Sequence, residues 1–183
     1  YPYGTSLAFN TFWIDTVGGS TNGNFDFQSR SANLLATGLL QEQRLQSWGG
    51  INELALGFGV SMSDKLMLGG TVGVPFLNYE REATFTEADA TDNPNNHFDF
   101  ASVTENLSTK GAGINLKAGL IFKPVEQVRL GLAVHSPTLY SLTDYFNYSV
   151  SADVETSSGL QTQTSEFMDS EFGNAPGEFK YML

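Results

Sequence analysis

Four successive runs of alternating residues predict an all-β chain, and the chemistry of their faces predicts an antiparallel transmembrane β-barrel of which these 183 residues are a part. Three observations carry that expectation. Apolar side chains recur at every second position, the intervening positions hold small or polar residues, and two tight turns alternate with long acidic connections. Period-two alternation places the two sets on opposite faces of a strand.

The first hairpin spans residues 54–74. Leu54, Leu56, Phe58, Val60 and Met62 alternate with Ala55, Gly57, Gly59 and Ser61; after Ser63-Asp64-Lys65, the residues Leu66, Leu68, Val72 and Val74 alternate with Met67, Gly69, Thr71 and Gly73. The second face is small and almost uncharged, as expected of a strand with lipid on one side and a lumen on the other. The second hairpin repeats the design. Even positions from Ala112 to Phe122 are apolar, whereas the odd ones include Asn115, Lys117 and Lys123; Pro124-Val125-Glu126-Gln127 turns the chain, and Val128, Leu130, Leu132 and Val134 then oppose Arg129, Gly131, Ala133 and His135. Each stripe has roughly the nine to eleven residues that a tilted strand needs to cross a bilayer core. The turns near 63–65 and 124–127 are therefore expected on the periplasmic side.

Between and after the hairpins the chain changes character. Residues 78–107 are acidic, contain the turn sequence Asp92-Asn93-Pro94-Asn95-Asn96, and exceed the usual length of a hairpin loop; residues 141–178 are similar. Both are expected as extracellular excursions. Thr84 to Thr86 and Tyr145 to Val154 still alternate, so part of that length should be strand projecting beyond the membrane.

Composition removes other classes. A net charge of -11 leaves no basic stripe for phosphates, which argues against nucleic-acid binding. Absence of cysteine excludes disulfides, thiol nucleophiles and thiolate metal sites. There is no run of eighteen apolar residues for a helical span, and no signal peptide at the start of the sequence. Five or six membrane-length strands fall short of the eight of the smallest barrels, and an open sheet edge in lipid is costly. The expectation is the middle of a larger barrel, completed by missing strands on both sides.

Gly49-Gly50-Ile51-Asn52-Glu53, the hairpin FGVSMSDKLMLGGTVGV, and above all GINLKAGLIFKPVEQVRLGLAVHSPT resemble the central part of the outer-membrane long-chain fatty-acid transporter family, of the form common in Bacteroidetes. The resemblance covers most of residues 43–145 and, more loosely, SLAFNTFWID and GEFKYML. It implies a fourteen-stranded barrel in the bacterial outer membrane, with a hatch in its lumen. It also implies passive uptake of hydrophobic compounds through an opening in the barrel wall, without catalysis or cofactor. The hatch and its Asn-Pro-Ala motif are not in this sequence, so the family's ligand contacts do not transfer to named positions.

Physical chemistry supplies its own candidates. A hydrophobic ligand needs an apolar, aromatic groove with a few polar groups, and Phe85, Phe98, Phe100, Tyr140, Tyr145 and Phe146 are the aromatic candidates; an interface girdle or loop packing is the competing and default role for these rings. Glu53, Asn115, Lys117, Arg129 and His135 form a candidate polar track along the lumen, where salt bridges and hydrogen bonds that keep the lumen satisfied are the default. Other motifs fail. Gly57-Phe58-Gly59 lacks the third glycine and the helix of a dinucleotide loop. His97 and His135 lack zinc spacing, and Glu87, Asp89 and Asp92 lack the glycine and terminal glutamate of an EF-hand. The glycosylation sequons Asn106-Leu107-Ser108 and Asn147-Tyr148-Ser149 carry little weight in a bacterial barrel. The partners expected are outer-membrane lipid, a hydrophobic small molecule, and the missing strands and hatch. Two other functions compete: a barrel serving as docking platform for other envelope proteins in a secretion or surface-assembly complex, and a soluble β-sandwich adhesin or lectin.

Overall fold

The computed structural model describes residues 5–21, 24–36, 38–91, 93, 96–155, 159–164 and 178–183. The chain is mostly antiparallel β-sheet, 76% strand with almost no helix. Asp92, Pro94 and Asn95 of the turn sequence, and residues 165–177 of the second excursion, lie outside the described residues.

A single helical turn and a small hairpin come first. Helix α1 (Thr5–Asn10) ends where Thr11 donates its hydroxyl to the carbonyls of Leu7 and Ala8, both at 3.1 Å. Strands β1 (Ile14–Thr21) and β2 (Asn24–Ser29) pair antiparallel, with Ile14 opposite Ser29, and a 3-10 turn over Arg30–Leu34 follows, capped by Ser29.

The main sheet has long strands. β3 (Leu39–Ser63), β4 (Leu66–Asp89) and β5 (Phe100–Val125) are consecutive neighbours of 25, 24 and 26 residues, more than double a bilayer crossing of about ten. The tight turns fall at Asp64-Lys65 and Glu126-Gln127. Ser63 Oγ accepts the Lys65 amide at 3.3 Å, and Lys65 O accepts the Lys123 amide at 2.8 Å, tying the first turn to β5. The acidic excursion at 78–107 is mainly strand: residues 78–89 continue β4 and 100–107 open β5, leaving 90–99 as the connection. Its length was legible in the sequence, but its polar composition concealed how much of it stays in the ladder.

β5 serves two successive partners on one edge. β6 (Val128–His135) pairs with residues 117–125, and β7 (Leu139–Asp153) pairs with β5 as well. The handover is Ser136-Pro137-Thr138. Proline has no amide to donate, and Ser136 takes up the ladder instead: its amide donates to Leu116 O at 2.8 Å and its Oγ accepts the Leu116 amide at 2.9 Å. Strands β8 (Gln161–Thr164) and β9 (Glu178–Met182) both pair with β7. Among the described residues β3 has β4 as its sheet neighbour and no pairing closes the sheet.

The chain divides into two compact units. The first, residues 1–47, 80–107 and 145–177, has a conventional core. Leu34, Phe98, Ala101, Ala152 and Val154 cluster there, with Trp13 and Leu39 packed against them. Asp89 organises the connection leading to Phe98. Its carboxylate accepts the Thr91 amide (2.8 Å) and hydroxyl (2.7 Å), the Asn93 amide (3.1 Å) and Asn96 Nδ2 (2.7 Å). The Thr91 hydroxyl bond above all, joined by the Thr91, Asn96 and Asn93 bonds against a desolvation penalty, lowers the Asp89 pKa to about 2.

The second unit, residues 48–79, 108–144 and 178–183, is built differently. Its strands carry large apolar side chains that no protein covers: Leu56 and Phe58 are 69% and 72% exposed, Leu132 and Val134 60% and 61%.

Candidate functional site

The β5–β6 register sorts the second unit's side chains by face. Directly opposed residues of an antiparallel pair point the same way. Ala118 opposes Val134, Leu120 opposes Leu132 and Phe122 opposes Leu130, so these form one apolar face. Lys117 opposes His135, Gly119 opposes Ala133 and Ile121 opposes Gly131 on the other. The first hairpin follows the same rule. A Cβ added to Gly70 would lie 2.9 Å from the Phe58 ring, so the even positions of β3 and β4 share a face.

On the opposite face, three strands meet over one missing side chain. Lys117 Nζ on β5 donates to Glu53 Oε1 on β3 at 2.5 Å, reaching across β4. Gly73 of β4 makes the reach possible, because a Cβ there would collide with the Glu53 carboxylate and lie 2.5 Å from Asn115 Oδ1. Asn115 is 6% exposed, and its Nδ2 donates to Thr138 Oγ1 at 3.3 Å. Its Oδ1 is buried without a hydrogen-bond partner as oriented. Exchanging the amide's O and N positions, which are nearly indistinguishable in shape, turns a donor toward the Glu53 side and an acceptor toward the Thr138 hydroxyl.

Between the belt and the turns the sheet carries a glycine-rich, apolar stretch. A concavity of about 650 Å3 is lined there by Gly59, Gly69, Gly119 and Gly131, by Ser61, Met67, Ile121 and Ala133 of the belt's parity, and by Val60, Leu68, Leu120 and Leu132 of the other. That volume lies within the range of small-molecule sites, which combine an apolar lining with a few polar groups. Lys117 and His135 oppose each other on β5 and β6, two positions along from Gly119 and Ala133.

The sequence-derived candidates distribute as follows. Glu53, Asn115 and Lys117 come together in the belt; His135 neighbours Lys117 across the ladder, and Arg129 lies on exposed β6 nearer the turn. Of the aromatic six, Phe85 lies in β4, Phe100 opens β5, and Tyr140, Tyr145 and Phe146 lie in β7. Phe98 is fully enclosed in the first unit's core, so packing accounts for that ring. Tyr145 is exposed, and Phe146 makes an edge-on contact with Tyr148 at 6.4 Å. Desolvation first, and then the Glu105 charge, raise the Tyr148 pKa against the opposing effect of Arg81. Gly73 and Thr138 had no local signal, since their role depends on contacts between strands. Among the described residues no cluster of histidines and carboxylates could hold a metal ion.

No family model, no curated protein and no solved structure matches this chain.

Proposed function

We propose that this chain is part of the wall of an outer-membrane β-barrel through which hydrophobic compounds, such as long-chain fatty acids, pass passively. The apolar face made by the Ala118–Val134, Leu120–Leu132 and Phe122–Leu130 pairs, exposed at every one of these residues but the half-buried Leu120, is the observation that carries this reading. Monomeric soluble proteins rarely expose contiguous apolar patches beyond a few hundred Å2. Lipid is the solvent in which such a face costs nothing.

The opposite face supports a channel wall. Its charged belt pairs Lys117 with Glu53, and the glycine-rich concavity of the same strands has the apolar lining that a hydrophobic compound needs. In lipid, the free edge of β3 needs a further strand, because each unpaired backbone group in hydrocarbon costs several kcal/mol. A larger barrel supplies it, in keeping with the resemblance to the fatty-acid transporter family. Nothing in the chemistry requires a catalytic step.

The test uses the full-length protein reconstituted in vesicles containing brominated lipid. In a background with Trp13 and Trp48 replaced by phenylalanine, tryptophan at Leu56 or Leu120 should be strongly quenched, whereas tryptophan at Ser61 or Ala133 should not. Equal quenching at all four sites, or none in a monomer soluble without detergent, would sink the membrane reading. Uptake of a fluorescent fatty acid into the same vesicles then tests transport.

A further inference from the structure

The first unit contains a second concavity, of about 300 Å3, away from the charged belt. Its walls are Trp13 just before β1, Ile14 at the start of β1, Ser29 at the end of β2, Ser31, Ala32 and Leu35 from the 3-10 turn region, and Glu87 from β4. We propose that this pocket binds a small organic ammonium ion of the size of choline, taken up as a free solute.

The pairing of an indole with a carboxylate is the first reason. An aromatic face attracts a cation through its quadrupole, most strongly for tryptophan, and Glu87 contributes a formal negative charge to the same wall. Gln41 Nε2 donates to Glu87 Oε1 at 2.8 Å, which fixes the carboxylate while leaving its second oxygen outside that bond. The remaining walls are the second reason. Ile14 and Leu35 are apolar, and the Ser29 and Ser31 hydroxyls bond to each other at 2.6 Å. A sugar would bring several hydroxyls to a pocket with two serine hydroxyls, one of which spends its proton on the other. A quaternary ammonium presents methyl groups and asks for no hydrogen bond.

Charge distribution is the third reason. Fifteen of the chain's twenty acidic residues fall in the first unit, against three of its nine basic ones. Two of those three are engaged in ion pairs, Arg30 with Asp15 and Arg81 with Glu105. The resulting field concentrates cations and repels anions.

The full chain in maltoside detergent, carrying Trp48→Phe so that Trp13 is the sole indole, is titrated with choline chloride and followed by tryptophan emission. Sodium chloride at equal ionic strength and 3,3-dimethyl-1-butanol, the neutral isostere of choline, are the controls. Choline should give a saturable change, the isostere should bind at least about tenfold more weakly, and Glu87→Gln should weaken choline by a similar factor. Saturation-transfer NMR of the choline methyls, on the unsubstituted chain and on Glu87→Gln, gives the same comparison without altering a tryptophan. Equal binding of the isostere would overturn the proposal, as would an unchanged Glu87→Gln affinity or no saturable response to choline in the folded protein. A response confined to phosphocholine-headed micelles would overturn the assignment to a free solute.

Discussion

Single positions in this sheet differ sharply in what they tolerate, and two glycines show why. Gly49 has φ +141°, and a Cβ there would collide with the backbone carbonyl of Asn78 and sit 2.7 Å from Tyr79 Cα. Backbone cannot swing aside. Gly49→Ala should therefore destabilise the protein by about 2 kcal/mol or more, read as a lower denaturant midpoint. Gly73 also has no room, yet what it would strike are the tips of Glu53 and Asn115, which can rotate away. Gly73→Ala should cost less than about 1 kcal/mol in stability, the worth of a partly exposed ion pair, while separating Glu53 from Lys117. A double-mutant cycle with Lys117→Met measures that separation: the coupling between Glu53 and Lys117 should vanish in the Gly73→Ala background. Asp89 offers a pH test. Its pKa falls from 3.8 to about 2 on folding, so the stability it contributes is complete above about pH 4 and is lost as pH drops toward 2. The protection factor of the Phe98 amide, whose N–H is held by Asn96 at 3.1 Å, should fall through that window and already be low in Asp89→Asn at pH 6.

Elements carry the distinction between the two faces, and substitutions on adjacent residues of one strand test it. Leu132 lies on the uncovered apolar face and Ala133 on the opposite one. Leu132→Arg should cost about 2–4 kcal/mol if that face meets the bilayer midplane, enough to abolish insertion into vesicles, whereas Ala133→Arg should insert. Floated fractions on a density gradient report both. The sequence made these faces legible because alternation is a local signal: the pairs Ala118–Val134 and Leu120–Leu132 follow from period two and a tight turn at Glu126-Gln127. It was silent where structure depends on distant partners. Nothing local shows that β6 and β7 share β5, since Ser136-Pro137-Thr138 reads as an ordinary loop until Ser136 is seen bonding Leu116 in both directions. Nor does composition separate Phe98, which is core, from the exposed Tyr145, because both lie in acidic aromatic stretches. Glu53, Asn115 and Lys117 were legible as polar members of one face, but their union over Gly73 needed the register of three strands.

At the scale of the molecule, charge and apolarity are partitioned between the two units. The first holds all the excess acid and a buried core, while the second holds six of the nine basic residues and the exposed apolar stripes. Reconstituted protein treated from outside with a protease that cleaves after acidic residues should lose first-unit segments while residues 48–79 and 108–144 survive as protected fragments. Uniform digestion would contradict a lipid-embedded second unit.

The shared edge of β5 has a kinetic corollary. Because β6 and β7 are held by separate stretches of one neighbour, with a proline at the join, the zipper has two sliders. Opening the Val128–His135 stretch needs no rupture beyond Ser136, so a mutation such as Leu130→Gly should speed deuterium uptake in β6 and leave β7 amides at their native rates.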